Sequence, residues 1–71
     1  MINLQHIGKV CKRHRETLNL YQYDVAKDVG YSKENISSFE RGRNDSAIIL
    51  LWYLLHGLEV DELGVDSDEG F

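Results

Sequence analysis

Proline is absent from the 71-residue sequence, and cysteine occurs once, as Cys11. No stretch alternates apolar and polar residues as a half-buried strand does, so helices are expected and strands are not. A single cysteine excludes an intramolecular disulfide. The longest apolar run, residues 47–55, is shorter than a membrane-spanning helix, which needs about 18 residues or more. Because the N-terminus lacks the basic-then-apolar order of a signal peptide, the sequence predicts a cytoplasmic location.

Side chains that carry catalysis or hold metals are also scarce. The six glycines are dispersed, so no glycine-rich loop is available for a phosphate-containing cofactor. Cys11 and His14 form an i, i+3 pair, but a structural metal site needs about four ligands, and His6 and His56 lack the spacing of a metal motif. No arrangement of Cys, His and acid supports a thiol nucleophile. We therefore expect no enzymatic activity, no cofactor and no bound metal.

Positive charge is missing from one end of the chain. The formal net charge is −4, yet residues 1–58 hold all eight Lys and Arg against six acids. Residues 59–71 hold the other six acids and no base. We predict a domain at 1–63, followed by an acidic and flexible tail at 64–71. The tail is open to two interpretations, a solvated terminus or a segment that repels DNA or binds a partner.

Residues 22–42 have the layout of a helix, a tight turn and a second helix. Apolar residues recur three to four positions apart on the first helix, and Ala26 among them is small enough for a second helix to cross closely. Gly30 ends the first helix, because a residue without a Cβ enters the left-handed conformation at low cost. Ser32 is a good N-cap for a second helix over residues 33–40.

The second helix of this unit has one apolar face and one polar face. Ile36 and Phe39 share the apolar face. The opposite side carries Lys33, Glu34, Ser37 and Ser38. A short helix with small and polar outward residues fits the major groove of B-DNA, which is about 12 Å wide and admits one α-helix.

This unit resembles the helix-turn-helix of the phage repressor and Cro family, also called the XRE family. The matching residues stand at the family's fixed spacing and are Gln22, Ala26, Gly30, Ser32, Ile36, Ser37, Glu40 and Gly42. The resemblance extends from about residue 7 to 58. It implies an all-α fold, a compact bundle of four to five short helices of the lambda-repressor-like type, and binding to double-stranded DNA.

The resemblance also implies roles for single residues. Lys33, Glu34 and Ser38 match the family's base-reading positions, and Ser37 lies between them on the same face. Lys33 suits guanine O6 and N7 as a donor, and Glu34 suits a cytosine amino group as an acceptor. Gln22 matches a family residue that contacts the DNA backbone from a helix N-terminus.

Further phosphate contacts are predicted on both sides of the second helix. Two arginines around a glycine form a basic turn directly after it, and each phosphate that is neutralised adds about 0.9 to the salt slope of binding. The predicted residues are Tyr21, Asn35, Arg41, Arg43 and Asn44. A solvated surface position is the alternative for the residues of this basic turn, for Asn35 and for Gln22 in the first turn of its helix.

The first helix of the chain is predicted from about Asn3 to Thr17. Its inward stripe is formed by Leu4, Ile7, Cys11, His14 and Leu18. Arg15 lies beside that stripe, and the resemblance implies a largely buried ion pair between it and Glu40. Removal of one partner would leave a buried charge unpaired, at a cost of about 3–5 kcal/mol.

A last helix is predicted from residue 47 to about 58, capped by Asp45 or Ser46, and it is more apolar than one core face requires. At 100° per residue, its core side gathers Ala47, Ile48, Leu51, Leu54, Leu55 and Leu58. The other side, predicted as a homodimer interface, gathers Ile49, Trp52, Tyr53 and His56. Burial of that side under the tail is the alternative. A short turn over 60–63 is expected to close the core.

Together these features predict a sequence-specific transcriptional regulator, a repressor of phage or mobile-element type that acts as a dimer on a palindromic operator. The rival hypothesis is a protein-interaction module, antirepressor-like or antitoxin-like, that holds another protein through the apolar face of the last helix or through the acidic tail. Weak DNA binding that is insensitive to salt would favour the rival. No membrane association is expected.

Overall fold

Four α-helices and one 3₁₀ turn make up the protein in the computed structural model, which describes residues 2–64. The helices are α1 Leu4–Thr17, α2 Gln22–Val29, α3 Lys33–Glu40 and α4 Ala47–Leu55, and the 3₁₀ turn is Val60–Leu63. No strand occurs in this part of the chain. The all-α fold class is confirmed. Nearly all of the predicted acidic tail lies outside the described residues.

Side-chain caps begin α1 and α4. Asn3 Oδ1 accepts a hydrogen bond from the backbone N–H of His6 at 3.1 Å, and Ser46 Oγ accepts one from the N–H of Ile49 at 3.3 Å. Ser46 rather than Asp45 therefore caps α4. Each cap satisfies a backbone donor that an isolated helix end leaves unpaired.

The hydrophobic core lies between the four helices and the 3₁₀ turn. Its buried residues are Ile7, Cys11, Val25, Ala26, Ile36, Phe39, Ile49, Trp52, Tyr53, Leu58 and Leu63. Ile7 and Cys11 of the predicted α1 stripe are therefore confirmed as core residues, and His14 is half-buried. The two ends of the stripe are wrong, because Leu4 is the first residue of α1 and Leu18 follows the last, and both side chains are exposed.

α4 is rotated relative to the prediction. Ile49, Trp52 and Tyr53, which were predicted to form a dimer interface, are buried inside the chain. Four residues predicted for the core, Ala47, Ile48, Leu51 and Leu55, are instead exposed on the surface. Because α4 is apolar on two sides, the spacing of its apolar residues does not show which side is buried. The buried side depends on the residues that each side contacts in the fold.

The partners of the two aromatic residues explain this orientation. Trp52 Nε1 donates to Asp28 Oδ2 at 3.0 Å, and the Tyr53 hydroxyl donates to Glu40 Oε2 at 2.8 Å. The large rings bury more apolar surface than leucine or isoleucine, and their polar ends find partners inside the protein. His56, the fourth predicted interface residue, is exposed and stacks on Trp52 with ring centroids 3.9 Å apart.

The C-terminal end of the described chain closes the core. α4 ends at Leu55, three residues earlier than predicted, but Leu58 is still buried after the chain turns. The 3₁₀ turn Val60–Leu63 lies at its predicted position, with Leu63 buried. Among residues 2–64, no helix is long and apolar enough to cross a membrane.

Candidate nucleic-acid interface

Two helix caps, one at the end of α2 and one at the start of α3, fix the turn between these helices. Gly30 has a φ of +78°, and its N–H donates to the carbonyl oxygen of Ala26 at 2.9 Å, which ends α2. Ser32 and Asn35 then cap α3 reciprocally. The Asn35 N–H donates to Ser32 Oγ at 3.3 Å, and the Ser32 N–H donates to Asn35 Oδ1 at 3.1 Å. The first turn of α3 is thereby held by its own side chains.

α3 presents its polar face at the surface. Ile36 is fully buried and Phe39 nearly so, which holds the opposite face against the core. The outward face has Lys33 and Glu34 exposed and Ser37 and Ser38 half-buried. The four residues predicted to read bases therefore lie on one accessible side of a short helix, where the serines leave room for close approach.

Glu40, at the end of α3, connects all four helices. Its carboxylate accepts hydrogen bonds from Arg15 Nε at 2.8 Å and Arg15 Nη2 at 3.1 Å. It also accepts from Gln22 Nε2 at 3.0 Å and from the Tyr53 hydroxyl at 2.8 Å. The ion pair implied by the resemblance is present. The contributions of Gln22 and Tyr53 were not predicted, because they depend on how α2 and α4 pack around the pair.

These contacts fix the protonation of the buried groups. The hydrogen bond to Glu40 raises the pKa of Arg15 above its ordinary value. Burial, followed by the charge of Glu40, raises the pKa of the Tyr53 phenol. Arg15 therefore stays charged and Tyr53 stays neutral at neutral pH, so both remain donors to the carboxylate. Burial also raises the pKa of the Cys11 thiol to about 12, which keeps it protonated and unreactive near neutral pH.

Gln22 is more constrained than the sequence indicated. It is the first residue of α2, it is half-buried, and its amide nitrogen is hydrogen-bonded to Glu40. An amide nitrogen carries two N–H donors, so one of them is left for a phosphate. The predicted phosphate contact is compatible with this geometry, and Glu40 orients the group that would make it.

The other predicted phosphate contacts fall into two groups. Tyr21, Arg41 and Arg43 are exposed. Asn35 and Asn44 use their side-chain oxygens within the protein, Asn35 in the α3 cap and Asn44 as acceptor for the N–H of the α4 N-cap at 3.0 Å. Their amide NH₂ groups are therefore the donors that they offer to a phosphate.

An open cleft of about 640 Å³ adjoins α3 on the side of Ser37. Four cations line it, Lys9 and Lys12 from α1 and Arg41 and Arg43 from the turn after α3. Lys9 and Lys12 were not predicted as site residues. Their i, i+3 spacing places them on one face of α1, but only the fold places that face beside α3.

Two glycines bring α1 against the end of α3. A Cβ at Gly8 would collide with the backbone carbonyl of Glu40 and would lie 2.7 Å from the carbonyl oxygen of Phe39. Gly42, with a φ of +76°, meets α1 in the same way, since its Cβ would lie 2.7 Å from the Cα of Gln5. Main chain therefore packs on main chain here, and the position of the α1 wall of the cleft is fixed by backbone contacts.

Metal ligands are not gathered in the described part of the chain. No three His, Cys, Asp or Glu side chains among residues 2–64 are placed to hold a metal ion. Cys11 is fully buried, and the His14 Nε2–H donates to the carbonyl oxygen of His56 at 2.8 Å. Cys11 is thus part of the hydrophobic core, and the His14 ring is hydrogen-bonded to the C-terminal end of α4.

No protein-family model, curated protein or solved structure matches this sequence. The assignment of a function therefore depends on the residues and the geometry described above.

Proposed function

We propose that the protein is a sequence-specific transcriptional regulator that binds double-stranded DNA through α3 and represses a promoter by occupying it. The observation that carries this proposal is α3 itself, an eight-residue helix with a buried apolar side, a polar outer side and an exposed first turn. A helix of these dimensions fits the major groove, where its N-terminal residues meet the base edges. Basic residues beside it support contact with the phosphates.

Readout of the operator is assigned to the outward residues of α3. Lys33 donates to guanine O6 and N7, and Glu34 accepts from a cytosine amino group. Ser37 and Ser38 are short, so they allow close approach and contribute hydrogen bonds to either base of a pair. Phosphate contacts from Gln22, Tyr21, Asn35, Arg41, Arg43 and Asn44 set the position of the helix in the groove.

The regulator is proposed to act as a cytoplasmic homodimer of phage or mobile-element type, in line with the resemblance of residues 22–42 to the XRE family. A 71-residue chain buries only about 60–65% of the surface that its unfolded chain exposes, less than a larger domain does, so it gains from association. A two-fold dimer matches a palindromic operator with half-sites about one helical turn, or roughly 34 Å, apart.

Selection of bound duplexes from a random DNA pool at physiological salt tests this function. The native protein is expected to enrich a consensus. Lys33→Ala and Ser38→Ala are expected to relax that consensus at different base pairs, and loss of one good bidentate contact costs about 1–3 kcal/mol of discrimination. Lys27→Ala is the matched control, because Lys27 is exposed on α2 and lies outside the α3 face. Failure of the native protein to enrich any sequence would contradict the proposal.

The rival function, a protein-interaction module, is favoured by one observation. α4 carries no charged residue, and its exposed residues Ile48, Leu51 and Leu55 follow i, i+3, i+7 spacing on one side of the helix. Such a stripe suits a protein partner. Absence of a DNA consensus together with stable capture of another regulator through this stripe would replace the DNA-binding proposal.

A further inference from the structure

The cleft beside α3 extends the basic surface from α3 onto α1. Ser37 of α3 and Gln22, the first residue of α2, line this cleft, and Lys9 and Lys12 form its α1 wall. A DNA backbone bound at Gln22 would therefore lie beside the α1 wall of the same cleft. The α1 lysines have no role in reading bases, since they lie on a different helix from the outward face of α3.

The charge of the cleft suits a polyanion. Its lining contains one carboxylate, that of Glu40, and this charge is neutralised by the buried ion pair with Arg15. Lys9 and Lys12 are exposed, and within residues 2–64 neither is within salt-bridge distance of an acidic side chain. Within the described residues, their ammonium groups are thus available to bind an external anion.

The α1 wall also has a fixed position. Gly8 and Gly42 allow backbone contacts between α1 and the end of α3, so the wall cannot move away from α3 without breaking main-chain packing. Lys9 and Lys12 are three residues apart, which is a rise of about 4.5 Å along the helix. Flexible lysine side chains at that separation reach neighbouring phosphates of one strand.

We infer that Lys9 and Lys12 bind two backbone phosphates of the DNA strand that runs along α3, and that α1 is therefore part of the DNA interface. This inference rests on the proposed function. An open cleft lined by Lys9 and Lys12 of α1 and by Arg41 and Arg43 of the turn after α3 fits a continuous strand better than a single small anion, which an enclosed pocket would hold. The contacts contribute affinity and salt dependence and leave the base preference unchanged.

The experiment measures the affinity of the selected duplex for three double variants across a salt series. Lys9→Gln with Lys12→Gln is expected to lower the salt slope by about 1.8 for each bound protomer, or about 3.6 for the dimer, which makes the affinity change between 50 and 200 mM salt about 150-fold smaller. Arg13→Gln with Lys27→Gln removes the same charge at exposed positions outside the cleft and should change the slope by less than half as much. Lys9→Arg with Lys12→Arg should restore the native slope.

One outcome of these measurements tests the proposed function, and the others test the role of Lys9 and Lys12. Equal decreases of the salt slope in the cleft variant and the control variant would mean that only net charge matters, which overturns the inference. A salt slope that stays native in both variants also overturns it. Native protein without a DNA consensus refutes the proposed function itself. Inorganic phosphate that perturbs the amide signals of Lys9 and Lys12 at constant ionic strength, with an unchanged DNA slope, assigns the cleft to a small anion and overturns the inference. Urea unfolding of each variant checks that the fold is intact.

Discussion

Glu40 shows how one side chain holds the helices of this protein in register. Four donor groups from three other helices converge on its carboxylate, and no buried side-chain nitrogen or oxygen among residues 2–64 lacks a partner. A buried charge of this kind is tolerated only while its partners remain in place. The same carboxylate orients Gln22, so packing stability and the amide that we propose to contact DNA depend on one group.

We expect Arg15→Leu to lower the free energy of unfolding by about 3–5 kcal/mol, because it leaves the Glu40 carboxylate buried without its cation. The double variant Arg15→Leu with Glu40→Leu should recover part of that loss. Urea denaturation of the two single variants and the double variant gives the coupling between them. Additive losses would mean that the ion pair is not the source of the effect.

The burial of Cys11 predicts that the free energy of unfolding decreases at alkaline pH. The thiol has an ordinary pKa of 9.0 in the unfolded chain and about 12 in the fold, chiefly because of burial. Below pH 9 it is protonated in both states. Between about pH 9 and 12 the unfolded chain loses the proton while the folded chain keeps it, so stability falls as pH rises. Cys11→Ala should show a shallower fall by urea denaturation over pH 8–11, and equal slopes would contradict the assignment.

At the scale of elements, α1 and α4 are positioned by contacts that lie far apart in sequence. α1 approaches α3 at Gly8, where the neighbouring atoms belong to the backbone of α3. α4 is oriented by the hydrogen bonds of Trp52 to Asp28 and of Tyr53 to Glu40. In both helices the decisive partner belongs to a different helix.

Gly8→Ala should therefore destabilise the protein, although alanine is normally better than glycine inside a helix by about 0.5–1 kcal/mol. The added Cβ overlaps the carbonyls at the end of α3, and such overpacking costs about 1–3 kcal/mol. Gly30→Ala provides the comparison, since nothing lies within 4 Å of its Cβ position and only its positive φ opposes the change. Thermal unfolding measures both, and a Gly8→Ala protein more stable than native would contradict the packing described.

At the scale of the whole molecule, the exposed basic residues of α1 line two different depressions within residues 2–64. Lys9 and Lys12 face the cleft beside α3, whereas Arg13 lines a different depression together with Glu62. Glu62, in the described part of the acidic segment, therefore lies beside α1 in a depression other than the cleft. The cleft beside α3 is therefore lined by four basic side chains, although the formal net charge of the chain is −4.

Self-association of the whole molecule should use the exposed stripe of α4. Leu51 is 50% exposed and Leu55 is 74% exposed, and a second copy meets no charge on this helix. We expect Leu51→Glu or Leu55→Glu to raise the dissociation constant of a homodimer at least about tenfold, as loss of an interface anchor does. Val60→Glu, at an exposed residue outside α4, is the control. Sedimentation equilibrium measures all three, and a dimer that tolerates both leucine variants would place the interface elsewhere.

The sequence by itself determined the local structure of this protein. Apolar spacing, Gly30 and the Ser32 cap are properties of neighbouring residues, and they were sufficient to place α2, the turn and α3 within the chain. The inward face of α3 also followed, because that helix has only one apolar side. The Arg15–Glu40 pair came from the resemblance to a known pattern rather than from local spacing.

Only the tertiary structure decided the rest. Three features require contacts between helices that are distant in sequence. They are the burial of one apolar side of α4, the convergence of Gln22 and Tyr53 on Glu40, and the approach of Lys9 and Lys12 to α3. Hydrophobic periodicity depends on residues three or four positions apart and carries no information about such partners. The candidate interface is for this reason larger than its helix-turn-helix, since packing at Gly8 and Gly42 adds one face of α1 to it.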